Sequence, residues 1–333
     1  MRICSMTIRK FFHRMLASLI ALVVLLCAGL ALFTLWRTRV IEAQFPPTGK
    51  FVAVEGGRLH YTEALPIGAP RGVVVLLHGA SGNQANMAAA LAAPLAARGY
   101  RVLAFDRPGH GWSERILGRE AASPAVQARM MVEAMESVGA PRAIILAHSL
   151  AGVVALNMAL DHKDAVAGLV LVSPVSHPWP GGINWTYRVG AHPVWGPLFA
   201  HLLVMPAGLS RMPASVAGIF SPAAAPPDFL ESTAAALVLR PREYQDNAQD
   251  VASLYDFVVT QAPRYGEITA PVAVITGDTD SVVLRHIHSD GLARNIKGTS
   301  LQVIMNEGHA PHFGHAAEVV AAVDEVVARS PKQ

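Results

Sequence analysis

The sequence predicts an α/β protein with a mostly parallel central sheet, helices on both faces of the sheet and an N-terminal transmembrane helix. Short apolar strands alternate with longer helices along most of the chain, which is typical of a parallel sheet covered on both sides. The alternation breaks over residues 176–265, where Pro, Gly and Trp are frequent. Near the N-terminus, residues 16–36 form one uninterrupted apolar run.

The alternation itself starts after residue 50. Residues 51–62 predict a β-hairpin with a glycine turn, and the continuous Val and Leu run at 73–77 predicts a strand that is buried on both faces. Further strands are predicted at 101–105, 143–146, 166–172, 271–276 and 300–305, and helices at 86–98, 124–138, 153–160 and 316–329.

These patterns divide the chain into five regions. They are a basic N-terminal segment (1–15), a transmembrane anchor (16–36), a linker (37–50), a core (51–175 and 266–333) and a helical lid (176–265) inserted between two sheet strands. Within the lid, short helices are predicted near 192–205, 228–239 and 242–261.

The predicted anchor runs from Leu16 to Trp36 and is long enough to cross a bilayer. Four basic residues precede it and two follow closely, which favours a cytoplasmic N-terminus and an extracytoplasmic body, periplasmic in a Gram-negative bacterium. The alternative is a signal peptide that is cleaved to release a secreted body. Its apolar region would normally be shorter, and no small-x-small cleavage pattern follows the run.

Composition limits the partners of the remaining body. The formal net charge of +3 is due to the six basic residues that flank the apolar run; without them, 21 basic residues face 24 acidic ones. No basic pattern suited to nucleic acid remains. Both cysteines, Cys4 and Cys27, lie in the N-terminal segment, so we expect no disulfide or thiol chemistry in the body.

The stretch around Ser149 predicts a nucleophile. A buried strand precedes Ala147-His148-Ser149-Leu150-Ala151 and a helix follows it, which is the context of a nucleophile elbow. Such a turn needs small neighbours because it holds the serine in a strained conformation. The usual G-x-S-x-G pattern has glycine where this chain has Ala147 and Ala151, and alanine tolerates unusual dihedral angles less well. The alternative is that Ser149 has a purely structural role as an ordinary helix N-cap.

Two further strands end in an acid and a base. Gly277-Asp278-Thr279-Asp280 follows one strand, and Gly308-His309 comes shortly after the last. The carboxyl ends of parallel strands share one edge of a sheet, so Ser149, Asp280 and His309 can converge there. A serine becomes a competent nucleophile when a histidine takes its proton and a carboxylate orients that histidine.

These residues resemble the α/β-hydrolase family, whose chain order is Ser, Asp, His. The resemblance also includes His78-Gly79 and the loop Asp106-Arg107-Pro108-Gly109-His110-Gly111-Trp112-Ser113, and together the motifs span 51–329. It implies Ser149 as nucleophile, Asp280 as orienting acid and His309 as general base. It also implies an oxyanion hole formed by the backbone N–H groups of Leu150 and Ala80.

Other residues compete for two of these roles. Asp278 lies nearer its strand end than Asp280, and His312 and His315 compete with His309. The family pattern Gly-x-x-Asp and the Gly-His step favour Asp280 and His309. A metal site at the three neighbouring histidines is disfavoured because no carboxylate or cysteine accompanies them at ligand spacing. We expect His286 and His288 to be exposed to solvent.

The sequence therefore predicts a membrane-anchored serine hydrolase that cleaves a carboxylic ester through an acyl-enzyme and needs no cofactor. The aromatic and Met side chains of the lid suit an apolar small-molecule substrate, or alternatively only pack the lid on the core. A carbon–carbon bond or amide hydrolase with the same triad, or a non-catalytic ligand-binding homologue, are the alternatives. Epoxide hydrolases and haloalkane dehalogenases of the family use Asp as nucleophile, and Ser149 argues against both.

Overall fold

A computed structural model of the chain describes residues 2–330, and the side chains of residues 9–330. Across the described residues, eight strands form one sheet in the order β1-β2-β4-β3-β5-β6-β7-β8. They are β1 (Lys50–Val54), β2 (Gly57–Ala64), β3 (Gly72–Leu77), β4 (Tyr100–Phe105), β5 (Ala143–His148), β6 (Val166–Val172), β7 (Val272–Gly277) and β8 (Ser300–Ile304).

The sheet is mixed because its first two strands form a hairpin. β1 pairs antiparallel with β2 and β2 antiparallel with β4, whereas every pair from β4 through β8 is parallel. The prediction of a mostly parallel sheet is therefore confirmed. The parallel strands all end at one edge, and the loops after them carry the candidate chemistry.

Helices cover both faces of this sheet. The α-helices are α1 (Arg2–Gln44), α2 (Gln84–Ala97), α3 (Pro124–Ser137), α4 (Ala151–Asp161), α5 (Trp185–Ala191), α6 (Trp195–Phe199), α7 (Met205–Phe220), α8 (Phe229–Ser232), α9 (Pro241–Gln261), α10 (Ser289–Asn295), α11 (Pro311–Gly314) and α12 (Ala316–Arg329). Apolar side chains of α3 and α4 pack on one face of the sheet. Those of α2 and α12 pack on the other.

The segment between β6 and β7, residues 173–271, is helical and is called the insertion below. It contains α5 to α9, joined by 3₁₀ turns at Ala235–Leu239 and Ala262–Glu267 and by a π turn at Ala200–Val204. Helix α7 was not predicted, and it continues through Pro206 and Pro213. Pro206 lies in its first turn, where a missing N–H costs little, and Pro213 is exposed.

Buried charges fasten α9 to the core. The Arg107 guanidinium, after β4, donates to Asp250 Oδ2 at 2.6 Å, and that of Arg115 donates to Asp250 Oδ1 at 2.8 Å. All three side chains are at most 1% exposed. Breaking such a pair would leave an uncompensated buried charge, so α9 is a fixed part of the domain.

Helix α1 is longer than the predicted anchor. It continues beyond Trp36 to Gln44, so most of the predicted linker at 37–50 is helical. The extension is stabilised by the insertion: Ile41 is 1% exposed and packs beside Val204 and Met205. By length and composition, two described helical stretches could span a membrane, Arg9–Gln44 and Trp195–Phe220.

Candidate active site

Ser149 occupies a sharp turn between β5 and α4. Its φ angle is +55°, in the left-handed region, which costs strain unless the surroundings hold it. Its N–H donates to the carbonyl of Val172 at 3.0 Å, and its own carbonyl accepts from the amides of Gly152 and Val175 at 2.9 and 3.0 Å. Hydrogen bonds from neighbouring segments therefore fix this strained turn.

The positions that must lack a side chain here are not those of the two alanines. Ala147 is paired within β5 and Ala151 begins α4, so both have ordinary backbone angles and tolerate a methyl group. The tight positions are glycines. A Cβ on Gly79 would lie 2.8 Å from the Cβ of Ser149, and one on Gly152 would lie 2.6 Å from the Cβ of Pro174. Alanine in place of the usual glycines therefore leaves the elbow intact.

The three residues predicted as a triad lie within hydrogen-bond distance of one another. His309 Nε2 is 2.9 Å from Ser149 Oγ, and His309 Nδ1 is 2.8 Å from Asp280 Oδ2. The other Asp280 oxygen, Oδ1, accepts the amides of Val282 and Val283 at 2.8 and 2.9 Å. Asp280 is therefore held by the backbone, and a proton on His309 Nδ1 leaves Nε2 free to accept the proton of Ser149.

The competing residues lie elsewhere. Among the described residues, the Asp278 carboxylate accepts one hydrogen bond, a long one of 3.4 Å from the Glu307 amide. His315 is paired with Glu318 at 2.9 Å, which raises its pKa. His312 is buried, and burial lowers its pKa to about 3.

His288 corrects an expectation, because it is 3% exposed rather than solvent-accessible. Its Nδ1 accepts the amides of Ser176 and His177, both at 3.1 Å, which anchors the start of the insertion. Burial lowers the pKa of His288 to about 4, so the ring is neutral and able to accept. No sequence pattern distinguishes it from His286, which is exposed as expected.

The two predicted oxyanion donors flank Ser149. Leu150 follows it directly, and Ala80 follows Gly79, whose backbone lies against the serine. Over the described residues 2–330, neither the Ala80 nor the Leu150 amide donates a hydrogen bond to a protein group. Two uncommitted N–H groups beside a nucleophile are what a developing oxyanion requires.

Two further histidines hold the backbone around the site. His78 Nδ1 donates to the carbonyl of Gly79 at 2.8 Å, while its Nε2 accepts the Arg107 amide at 3.0 Å. His148 Nε2 lies 3.0 Å from the carbonyl oxygen of His309, to which it donates. Burial lowers the pKa of His78 and His148 well below the ordinary value, so both rings are neutral.

Side chains of the insertion pack beside the candidate site. Ser149 is 7% exposed and His309 is 5% exposed. Leu254 and Val258 of α9 and Trp179 pack in one cluster with Leu150, beside the serine. Phe220 at the end of α7 packs with Ala310, next to the candidate base. The side chains around the site are therefore mostly apolar, and several belong to the insertion.

A metal is not part of the arrangement described so far. In the portion of the chain that the structure describes, no group of three or more His, Cys, Asp or Glu side chains is placed to hold a metal ion. The three histidines after β8 diverge: His309 faces Ser149, His312 packs on the His148 ring at 4.7 Å, and His315 pairs with Glu318.

The order of the strands, the turn at Ser149 and the loops after the strands are together typical of one fold class of hydrolases. The family model for the alpha/beta hydrolase fold matches residues 72–316, most of the chain. The chain therefore belongs to the α/β-hydrolase fold family, as its motifs predicted.

Similar proteins include named hydrolases and a protein of unknown activity. A 2-hydroxy-6-oxo-6-phenylhexa-2,4-dienoate hydrolase of Burkholderia cepacia is 27% identical over 81% of this chain and 92% of the relative. An uncharacterized protein of Mycobacterium tuberculosis is 30% identical over 86% of this chain and 83% of the relative. The crystal structure of the enol-lactonase from Burkholderia xenovorans covers 84% of this chain and 100% of its own, with 19% identity and a TM-score of 0.67. This last likeness shows the fold.

Proposed function

We propose that the protein is a serine hydrolase that cleaves a carboxylic ester through an acyl-enzyme. The observation that carries the proposal is the hydrogen-bonded chain from Ser149 Oγ through His309 to Asp280, on a serine with a φ of +55°. The alternative role for Ser149, a helix N-cap, would not require the buried histidine and carboxylate that are hydrogen-bonded to it in series.

The proposed reaction has two steps. Ser149 Oγ attacks the ester carbonyl carbon while His309 Nε2 takes the hydroxyl proton, and the oxyanion is stabilised by the N–H groups of Leu150 and Ala80. Collapse breaks the bond to the alcohol oxygen, which leaves with the proton from His309. A water molecule then attacks the acyl-enzyme, giving its proton to His309, and Ser149 recovers its proton as the acid departs.

The apolar surroundings favour an ester with an uncharged, apolar acyl or alcohol part. Leu150, Trp179 and Leu254 pack beside the candidate nucleophile, and the nearby guanidinium of Arg107 is fully buried and committed to Asp250. An anionic group on the substrate would therefore lose its hydration without gaining this cation as a partner.

Cleavage of a carbon–carbon bond by the same triad is the second candidate. The specific support is the Burkholderia cepacia relative, which is named as a hydrolase of a 2-hydroxy-6-oxo-6-phenylhexa-2,4-dienoate. That substrate carries a carboxylate, so a cationic side chain would have to turn toward it. Amide hydrolysis and non-catalytic ligand binding remain further candidates. Measurement of kcat/KM distinguishes the three enzymatic candidates: p-nitrophenyl esters of increasing chain length test ester hydrolysis, a dienoate tests carbon–carbon cleavage and an anilide tests amide hydrolysis.

Helix α1 is proposed as an uncleaved anchor. Its exposed apolar side chains over 16–36 suit a bilayer, and the basic residues before them suit a cytoplasmic N-terminus. The catalytic domain would then be extracytoplasmic, with the insertion serving as a lid. Signal cleavage after the apolar run is less compatible with the buried position of Ile41, which packs against the insertion.

Labelling by a fluorophosphonate probe tests the mechanism. The full-length chain in detergent is compared with Ser149→Ala, His309→Ala and the matched control Ser137→Ala, whose serine is exposed at the end of α3. We expect labelling of the wild type and of Ser137→Ala only. A folded wild type that stays unlabelled, or a Ser149→Ala variant that is labelled, would contradict the proposal and favour a ligand-binding homologue.

A further inference from the structure

Five large apolar side chains of the insertion face outward together. They belong to α5, α6 and the turns beside them, each about half exposed or more, and are called the apolar face: Trp185, Val194, Trp195, Leu198 and Leu203. Helices α5 and α6 lie against each other, with Trp185 5.8 Å from the ring of Phe199 in α6. Exposed apolar side chains concentrated on two neighbouring helices, with two tryptophans among them, indicate an interaction surface.

The segment of the chain that carries the apolar face has charges of one sign. From Ala165 through Pro227 the sequence contains no aspartate or glutamate. The charged residues of α5 to α7 are Arg188 and Arg211, and both are exposed. Apolar and aromatic side chains with basic residues and no acidic ones suit the headgroup region of an anionic bilayer.

The apolar face also adjoins the end of the proposed anchor. Phe33 and Ile41 of α1 pack against Ala200 and Val204, which lie between Leu198 and the start of α7. Glu42 accepts a hydrogen bond from Arg240 at 3.2 Å, which fixes this contact at its edge. The level at which α1 would leave the hydrocarbon, near Trp36, is therefore the level of the apolar face.

The stretch Trp195–Phe220 is apolar enough to resemble a second span, but its contacts prevent it from crossing a bilayer. Its first half lies on α1 and α9, and its last turn is joined to the loop of His309. A largely exposed apolar helix that is held against a domain can bury its outer side by lying in the membrane interface.

We propose that the apolar face is embedded in the interface of a phospholipid bilayer, beside α1, so that an ester dissolved in that bilayer reaches Ser149 without crossing water. This inference rests on the anchor and the ester hydrolysis proposed above. Helix α5, which carries Trp185 of the face, and helix α7, which continues from its last residue, Leu203, touch opposite sides of the site. Tyr187 of α5 approaches Ser81, next to Ala80, with 3.4 Å between the hydroxyl oxygens. At the end of α7, the carbonyl of Ile219 accepts the His309 amide at 2.8 Å.

Fluorescence quenching by lipid tests the position of the apolar face. The full-length chain, with Cys4→Ser and Cys27→Ser, receives one cysteine that is labelled with NBD, and is reconstituted in phosphatidylcholine–phosphatidylglycerol vesicles containing nitroxide-labelled lipid. The positions are Leu198→Cys in the face, Leu25→Cys in the anchor and Leu65→Cys as the matched control. Leu65 is similarly apolar and exposed but follows β2, at the sheet edge opposite to the candidate site.

We expect quenching at Leu25 and Leu198 and none at Leu65. Quenching at Leu25 alone would overturn the inference and leave the anchor standing. Quenching at no position would overturn both the anchor and the inference. Equal quenching at Leu65 and Leu198 would show non-specific adsorption and also overturn it. A dimer or a protein partner would shield Leu198 from water without quenching, which contradicts the bilayer contact.

Hydrolysis assays separate this inference from the proposed chemistry. Leu198→Glu places a charge in the apolar face, and Leu65→Glu is its control. We expect Leu198→Glu to lose hydrolysis of an ester dissolved in vesicles and to retain that of a water-soluble short-chain ester. Equal activity of both variants on the vesicle ester would contradict the route through the bilayer. If the wild type hydrolyses no ester while Leu198 is quenched, the ester proposal and the bilayer route for its substrate fail, and the bilayer contact stands.

Discussion

The main-chain amide of His309 donates a hydrogen bond to the carbonyl oxygen of Ile219, across 2.8 Å. The bond joins the loop of the candidate base to the last turn of α7 in the insertion. Contact is close because Gly308 precedes the histidine: a Cβ at that position would lie 2.6 Å from the same carbonyl oxygen. The position of the insertion and the position of His309 are therefore coupled.

Replacement of Gly308 tests this coupling. Gly308→Ala should push α7 from the loop and displace His309, because backbone atoms leave no room for the methyl group. We expect a fall in kcat of about 10–100-fold and a loss of about 1–3 kcal/mol in the free energy of unfolding. The control is Gly218→Ala in α7, where the added Cβ would have no neighbouring atom within 4 Å. It should be neutral or slightly stabilising, and wild-type activity of Gly308→Ala would refute the coupling.

The two aspartates after β7 should differ sharply in their effect. Asp280→Asn removes the carboxylate that fixes the His309 tautomer, so kcat for ester hydrolysis should fall by about 10³–10⁴-fold. Asp278→Asn keeps the length of the side chain and an Oδ1 that can still accept from the Glu307 amide, which lies 3.4 Å from it. Its kcat should stay close to the wild-type value. Steady-state kinetics on one soluble ester distinguish the two, and similar losses would argue against Asp280 as the orienting acid.

The buried ion pairs of α9 should dominate the stability of the insertion. Asp250→Asn keeps the volume but removes the carboxylate that the buried Arg107 and Arg115 guanidinium groups share. Arg115 keeps Asp246, whose Oδ1 lies 3.7 Å from its Nε, whereas Arg107 loses its ion-pair partner. We expect a loss of about 3–5 kcal/mol in the free energy of unfolding, measured by urea denaturation. The control is Glu267→Gln, which breaks an exposed pair with Arg264 and should cost less than about 1 kcal/mol. Equal effects would mean that Asp250 does not hold α9.

Acid should destabilise the protein because several buried histidines are neutral. Burial lowers the pKa of His312 to about 3 and of His288 to about 4, and lowers the pKa of His78, His110 and His148 well below the ordinary value. Unfolding returns each ring to a pKa of about 6.5. Below that pH the unfolded chain binds more protons, so stability is greatest above it and falls as the pH decreases, by up to about 1.4 kcal/mol per pH unit for each ring.

His312→Phe isolates one of these contributions. Neither ring nitrogen of His312 has a hydrogen-bond partner of normal geometry among the described residues, although the Asn86 backbone lies near, so a phenyl ring should fit at little cost. The variant should unfold less readily than the wild type at pH 5 and similarly at pH 8 in urea denaturation. His315→Gln should act in the opposite sense, because Glu318 raises the pKa of His315. If the free energy of unfolding changed with pH in the same way for the wild type and for His312→Phe, His312 would not contribute to the acid sensitivity.

The sheet and its strand ends could be predicted from the sequence because their signal is local. Strands β3 and β6, and β5 up to His148, are continuous apolar runs, and apolar residues predominate in β4, β7 and β8. The residues that follow β5, β7 and β8 carry the Ser, Asp and His of the candidate site. Their convergence follows from parallel topology. The predicted roles of Ser149, Asp280 and His309 agree with the distances, and turnover measurements have to test them.

The remaining features depend on contacts between distant segments. Arg107 and Asp250 are 143 residues apart, and neither residue signals its partner. Helix α7 passes through Pro213, which predicts an interruption, because that proline faces outward. The helical state of residues 37–44 arises from packing on the insertion, as Ile41 shows. Tertiary packing overrides local propensity in each case.

The docked end of α1 has a consequence for kinetics. Helix α1 has 43 residues, and its last turns are fastened to the domain through Ile41 and through the Phe45 carbonyl, which accepts the Trp112 indole N–H at 3.1 Å. With α1 in a bilayer, the domain could not rotate freely about a flexible linker. Ser149 would then stay at one distance from the membrane surface and in one orientation to it. Encounter with substrate then becomes a two-dimensional search, so turnover should follow the mole fraction of ester in the membrane rather than its concentration in bulk water.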